Sequence, residues 1–335
     1  MAEATVTPPP QKQAARPARS PSARFASGRS LREHLTSNPV VLKELRGRMR
    51  GNRAFAILTV YLGLMSLFTA LLYLAYTASS NVDIYGPGSG QMAGKVVFAG
   101  LVGIELFLVC FIAPAFTAGA ISGERERQTY ELLRTTLLPA RSLVLGKLTS
   151  ALSFIVLLLI AAVPLQSLVF LLGGVAAEEV LISLAMLLVT ALASGSAGIF
   201  FSTIMRRTLG ASVLTYAAAL VAVLGLPLLM LTFIPAYDFF FYGSSYNNFS
   251  PGPILQAILV YAFYVLICLN PLATAFVTEA ILIDQQSPFF TTFPLSNGSS
   301  VPIISPWMPY TLFCLFFSLV MILISIQLVR RKETT

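Results

Sequence analysis

VFAGLVGIELFLVCFIAPAFTAGA (residues 97–120) runs directly into ISGERERQTYELLRTTLLPARSLVLGKL (residues 121–148). The first stretch has 24 residues and a single charge, Glu105; the second has 28 residues and eight charges, after which the chain turns apolar again. The hydrocarbon core of a bilayer is ~30 Å thick and a helix rises ~1.5 Å per residue, so ~20 apolar residues suffice to cross it. The junction at 120/121 therefore reads as the end of a membrane crossing and the start of a segment lying in water.

Applied to the whole chain, the same length argument gives six spans, at about 54–77, 97–120, 148–174, 181–204, 209–235 and 305–329. Composition agrees: hydrophobic residues make up 56% and charged residues 11%, with a mean hydropathy of +0.79. Soluble domains carry ~25% charged residues. The fold class that follows is an all-α polytopic membrane protein, with no length left for a separate soluble catalytic domain. Pro164 and Pro227 fall inside spans, where each frees backbone carbonyls that a neighbouring helix or water must meet. Ser194, Gly195 and Gly198 form a small-residue face of the kind that marks close helix packing. Cys110, Cys268 and Cys314 all lie in apolar runs and read as buried thiols, without a disulfide framework or a metal cluster.

Residues 1–36, rich in Pro, Ser, Ala and Arg, read as a disordered cytoplasmic tail, and no apolar h-region marks a secretory signal. At Asn38-Pro39 the pattern changes to a helix start, and Val41, Leu42, Leu45 and Met49 recur at helical spacing among basic residues. Residues 37–53 are thus predicted as a basic interfacial helix, and residues 54–330 as the membrane domain. A solvated juxtamembrane segment is the plainer alternative for 37–53.

The stretch 254–283 opens with an apolar run of about 16 residues and breaks at Asn270-Pro271. Residues 236–253 and 274–306 carry acidic groups but no Lys or Arg, so both flanks read as external and 254–283 as a re-entrant helical hairpin. The positive charges support six crossings. Eleven Lys/Arg precede the first span, five lie in 121–147, two at 206–207 and three at 330–332; Lys95 is left over. With both termini cytoplasmic, 21 of the 22 fall on one side. The net charge of +8 is thereby assigned to membrane topology and anionic lipid heads, not to nucleic acid.

In 121–148, Ser122 or Gly123 is placed to cap a helix with Glu124 and Glu126 in its first turn. Glu124–Arg127 and Glu131–Arg134 are i,i+3 pairs, and Tyr130, Leu133 and Leu137 make an apolar stripe. Two readings of this amphipathic helix stand side by side: a rigid handle that transmits motion to the spans on either side, or a surface helix resting on lipid heads.

The segment resembles the coupling region of the type-two (ABC-2-type) ABC exporter permeases, whose usual pattern is I-x-x-E-R-E-x-G-T-x-E-L-L, a Pro-containing turn and then G-K. Ile121, Glu124, Arg125, Glu126, Thr129, Glu131, Leu132, Leu133, Gly146 and Lys147 match it. NPVVLKELRGRMR resembles the connecting helix of bacterial members, and the span order extends the resemblance over roughly 38–330. Gln128 departs from the usual Gly, and the turn 135–141 is one residue longer, with its proline at Pro139. The resemblance implies a permease that docks its coupling helix on a separate ABC ATPase subunit, which carries the ATP and Mg. The ATPase-coupling residues are then Glu124, Arg125, Glu126, Arg127, Thr129, Tyr130, Glu131, Leu133 and Arg134. It further implies a second copy of the chain or a related permease, and a plasma-membrane location.

Glu105, about ten residues into the second span, is costly at that depth and is read either as lining a transport path or as an interhelical polar contact. The sequence holds no phosphate-binding loop: Gly94-Lys95 and Gly146-Lys147 both lack the preceding glycine and the following Ser/Thr. The single histidine, His34, supports neither a metal site nor a catalytic triad. No catalytic residue, cofactor or metal is expected on this chain. An ion-coupled secondary transporter is one alternative, disfavoured by the absence of an evident repeat and by the lone intramembrane Glu; a membrane enzyme or a non-catalytic membrane assembly protein is the other, disfavoured by the lack of a catalytic cluster.

Overall fold

The computed structural model describes residues 52–79, 89–129, 139–225, 227–229, 231, 252–285, 287–294 and 300–334. Contacts divide the chain into Met1–Ser37 and Asn38–Thr335, and all described residues belong to the second unit. The tail and nearly all of the segment 37–53 predicted as an interfacial helix lie outside the described residues, as does the stretch 236–251.

In chain order the elements are α1 (Asn52–Ser79), α2 (Ser89–Thr117), α3 (Ser122–Glu126), α4 (Ala140–Leu172), α5 (Ala177–Ile204) and α6 (Thr208–Leu220). A π-helical turn, Val221–Gly225, continues α6 and is followed by α7 (Pro253–Leu269), α8 (Pro271–Gln285), β1 (Phe290–Pro294), β2 (Ser300–Ile304) and α9 (Trp307–Thr334). Among the described residues six helices are long and apolar enough to cross a membrane: α1, α2, α4, α5, α6 with its continuation, and α9. The chain is thus a multi-pass, all-α membrane protein. Two helices begin earlier than hydropathy alone predicts. α2 starts at Ser89, and α4 starts at Ala140, two turns ahead of residue 148, because Pro139 has the extended backbone of a helix N-cap.

α5 packs on α2, α4, α6 and α9. Its small residues permit this: a Cβ on Gly198 would lie 2.0 Å from Oγ1 of Thr117, so only glycine lets α2 come this close. Phe98, Leu101, Leu106, Ile155, Leu158, Met186 and Leu187 fill the core between α2, α4 and α5, each below 2% exposure. The large exposed apolar side chains, such as Phe55 and Leu74 on α1 or Leu312 and Phe316 on α9, suit a hydrocarbon surround.

α7 and α8 meet at Asn270 with a bend of 117°. Asn270 is fully buried and serves both sides of the break. Its Oδ1 accepts the N–H of Ala273 at 2.8 Å, capping α8, with Pro271 at the first helical position. Its Nδ2 donates to the carbonyls of Ala222 at 2.7 Å and Val223 at 3.1 Å. Those carbonyls lie five and four residues before Pro227, which has no N–H to offer in either a π- or an α-helical pattern. The span proline and the break in the next helix pair are therefore two halves of one joint. Between α8 and α9 the sequence folds into an antiparallel hairpin, Phe290 opposite Ile304 and Pro294 opposite Ser300, which the apolar-run analysis does not anticipate. The hydroxyls of Tyr261 and Tyr264 on α7 donate to Pro302 and Ile304 and hold it in place.

Candidate functional site

The charged segment after the second crossing folds as a short helix wedged against two others. α3 spans five residues, Ser122–Glu126, and helical backbone returns only at Thr129, so the helix predicted as continuous is interrupted at residues 127–128. The reason is Gln128, whose φ of +57° is in the left-handed region and stops the helix. The usual Gly of the resembling pattern falls at this position. Tyr130, Glu131, Leu133, Leu137 and Arg134 lie outside the described residues, so the second half of the proposed docking stripe is not placed.

No local side chain caps α3; Ile121 occupies its N-cap, and Ser122 donates its hydroxyl back to Ala118. The cap comes from α5 instead. Oγ of Ser202, fully buried, accepts the N–H groups of Ile121 at 2.9 Å and Ser122 at 3.0 Å. The service is returned: Arg125 Nη1 donates to the carbonyls of Thr203 at 2.9 Å and Met205 at 3.3 Å, at the C-terminal end of α5. A cation at this end also opposes the partial negative charge of the helix terminus. Glu126 caps α6, its Oε1 accepting the N–H of Thr208 at 2.9 Å and its Oε2 the hydroxyl of Thr208 at 2.7 Å. Three helix ends thus cap one another through Ser202, Arg125 and Glu126. Polar end groups that would otherwise lack partners become ties between separate elements.

A fourth tie joins α4. Lys147 Nζ lies 3.1 Å from Glu124 Oε1; the lysine side chain is 5% exposed and the glutamate side chain 27%. Thr129 donates to the other oxygen of Glu124. Glu124 and Lys147, at opposite ends of the sequence pattern, are therefore one ion pair. Glu126 is solvent-exposed, and the Thr208 side-chain and backbone hydrogen bonds, with Arg207 nearby, hold its carboxyl below the usual glutamate range. Arg127 and Gln128 are exposed and close the described part of this surface.

The structure accordingly turns Glu124, Arg125, Glu126 and Thr129 toward the rest of the membrane domain. Ser202, which accepts the N–H groups of Ile121 and Ser122, and Thr208, which donates to Glu126, escaped sequence reading: each is an unremarkable hydroxyl near a span end. Arg206-Arg207 was the only visible mark of that corner.

Glu105 sits elsewhere, fully buried where α1, α2 and α4 meet. Tyr61 on α1 donates its hydroxyl to Oε1 at 3.1 Å, and Gln166 on α4 donates Nε2 to Oε2 at 2.8 Å. This is an interhelical polar contact in which both oxygens have donors. A separate cavity of about 310 Å³ lies among α2, α5, α6, the α7–α8 elbow and α9, with Ala193, Ser194, Ala197, Ala218, Ala222 and Tyr310 on its walls.

A family model described as "ABC-2 family transporter protein" matches residues 39–329. No curated protein sequence matches the chain.

Proposed function

The chain belongs to the ABC-2 family of transporter proteins, and from that premise we propose that it is the membrane-spanning subunit of an exporter driven by a separate ABC ATPase. ATP and Mg reside on that partner. Two copies of this chain, or one with a related permease, form the pathway in the plasma membrane, with both termini and α3 in the cytoplasm and α7–α8 re-entering from outside. Closure of the ATPases pushes α3, and the spans rock between inward and outward access.

The observation that carries this reading is the mutual capping of α3, α5 and α6. A surface helix merely resting on lipid needs no buried ties to two spans. Here Arg125 and Glu126 link α3 to α5 and α6, and Glu124 links it to α4. A push on α3 is therefore delivered to three helices at once. The central cavity has small, mostly apolar walls, which fits an apolar cargo.

Co-purification in mild detergent tests the proposal. An ABC ATPase is expected to accompany the wild-type chain, and Arg127→Glu, on the exposed face, is expected to weaken that association while α3 stays folded. Glu124 and Glu126 changed together to Lys should lose the ATPase too, but by dismantling the corner. Absence of any ATPase from the wild-type complex, or cysteine labelling that places residues 123–129 on the outer side, overturns the proposal.

A further inference from the structure

At the end of the bundle away from α3, three helices bring ionisable side chains together. Lys95 is near the start of α2, Glu178 and Glu179 are in the first turn of α5, and Glu279 is on α8. Lys95, Glu178 and Glu179 line a crevice of about 300 Å³, whose apolar wall includes Ala176, Leu282 and Pro288. Glu279 lies within electrostatic reach of both Glu179 and Lys95.

Glu179 and Glu279 are each only 6% exposed. The N–H of Ala176 donates to the Glu179 carboxylate, closing the first turn of α5. Its Oε2 is buried and has no hydrogen-bond partner. Among the described residues Lys95 makes no ion pair with any of the three carboxylates. One positive group thus faces three acidic ones, and a buried carboxylate oxygen is left without the donor that burial demands.

The crevice is rigidly framed. Gly173 and Gly174 have φ of +84° and +87°, and a Cβ on Gly174 would lie 2.3 Å from the carbonyl oxygen of Gln91. Only glycine permits this seating of the α4–α5 turn on the first turns of α2. The backbones of the α4–α5 turn and the start of α2 are thereby held in contact beside the crevice.

A metal ion does not fit. Among the described residues no three His, Cys, Asp or Glu side chains converge closely enough to hold one. The space instead matches the lower end of small-molecule pockets, ~300 Å³. We propose that this crevice binds an organic ammonium ion, with Glu178 and Glu179 holding the charge and Leu282 and Pro288 receiving the alkyl part. A soluble amine and the ethanolamine headgroup of a lipid present the same chemistry. The proposal stands on these residues alone and does not depend on the transport reading.

The test uses the full-length chain in phosphatidylcholine nanodiscs, titrated calorimetrically with n-butylammonium chloride against sodium chloride and 1-butanol controls. Saturable binding is expected for butylammonium alone. Glu179→Gln should weaken it about tenfold, the loss of one charge-assisted hydrogen bond. Lys95→Met should tighten it by a similar factor by removing a competing cation. Equal heats from butylammonium and sodium, or unchanged affinity in Glu179→Gln, refute the proposal. If Glu179→Gln does not fold, Lys95→Met decides: unchanged or weakened affinity also refutes it. Repeating the titration with phosphatidylethanolamine distinguishes the sources. A weaker apparent affinity for butylammonium assigns the site to the headgroup, and an unchanged one assigns it to soluble amines.

Discussion

Replacing Asn270 by Ala removes three hydrogen bonds at once: two donated to Ala222 and Val223, and one accepted from Ala273. In water-soluble proteins a buried carbonyl left without a donor costs about 1–3 kcal/mol. Within a bilayer the figure is smaller, because a separated helix still finds other partners; interhelical hydrogen bonds average about 0.6 kcal/mol and reach about 1.7. The lost cap adds about 1 kcal/mol. Asn270→Ala should therefore destabilise the chain by about 2–4 kcal/mol, measured as reversible unfolding in mixed micelles. The sharper test is a double-mutant cycle with Pro227→Ala. An N–H at 227 supplies a donor for Val223 in an α-helical pattern, or for Ala222 in a π-helical one. One of the two carbonyls then no longer depends on Asn270, and the two substitutions should couple by about 0.6–1.7 kcal/mol. Strict additivity would show that the amide does not stand in for the N–H that proline lacks.

Further predictions concern the capped corner and the buried glutamate. Glu126→Ala should strip amide protection from Thr208 and its neighbours, read by hydrogen exchange, with α1 and α2 unaffected. Because the Glu126 carboxyl is held low, its tie is fully present above the ordinary glutamate range and is lost only as pH falls through the lowered value. Protection at Thr208 that already disappears near neutral pH would contradict this. Gln128→Gly should stabilise the chain by about 1 kcal/mol in thermal unfolding by relieving a left-handed side-chain residue. A destabilising effect would mean that the Gln128 side chain makes a contact worth more than the strain. Glu105→Gln should be tolerated, since Gln166 can turn its amide to match, whereas Glu105→Leu strands the Tyr61 and Gln166 donors at a cost of about 0.6–1.7 kcal/mol each. Equal stability of the two variants counts against the three-helix contact.

The membrane architecture was legible because each crossing is a long apolar run, and length against bilayer thickness is a local property. The position of α3 was legible for the same reason: eight charges follow a run that contains one. Its extent was not. Charge pairs at i,i+3 suggested an unbroken helix through residue 134, but they do not prevent the interruption at Gln128, and residues 130–134 lie outside the described residues. The partners of Ile121, Ser122 and Glu126 were also hidden, since Ser202 and Thr208 lie about 80 residues downstream and carry no charge. Asn270 and Pro227 were each visible as interruptions, yet their complementarity depends on the packing of the elbow against α6. The hairpin at 290–304 was missed because its strands have five residues each and lie in a stretch read only for its charge.

The joint at Arg125 and Glu126 also bears on how faithfully displacement passes through it. Two greased surfaces slide before they pull, and the first ångström of travel is wasted. Hydrogen bonds to helix termini have little such play: they set orientation as well as distance, and each is shared by a different rod. Under the proposed coupling role, a linkage of this kind acts as a bell crank without backlash, answering a retreat of α3 as promptly as an advance, so a return stroke needs no spring of its own.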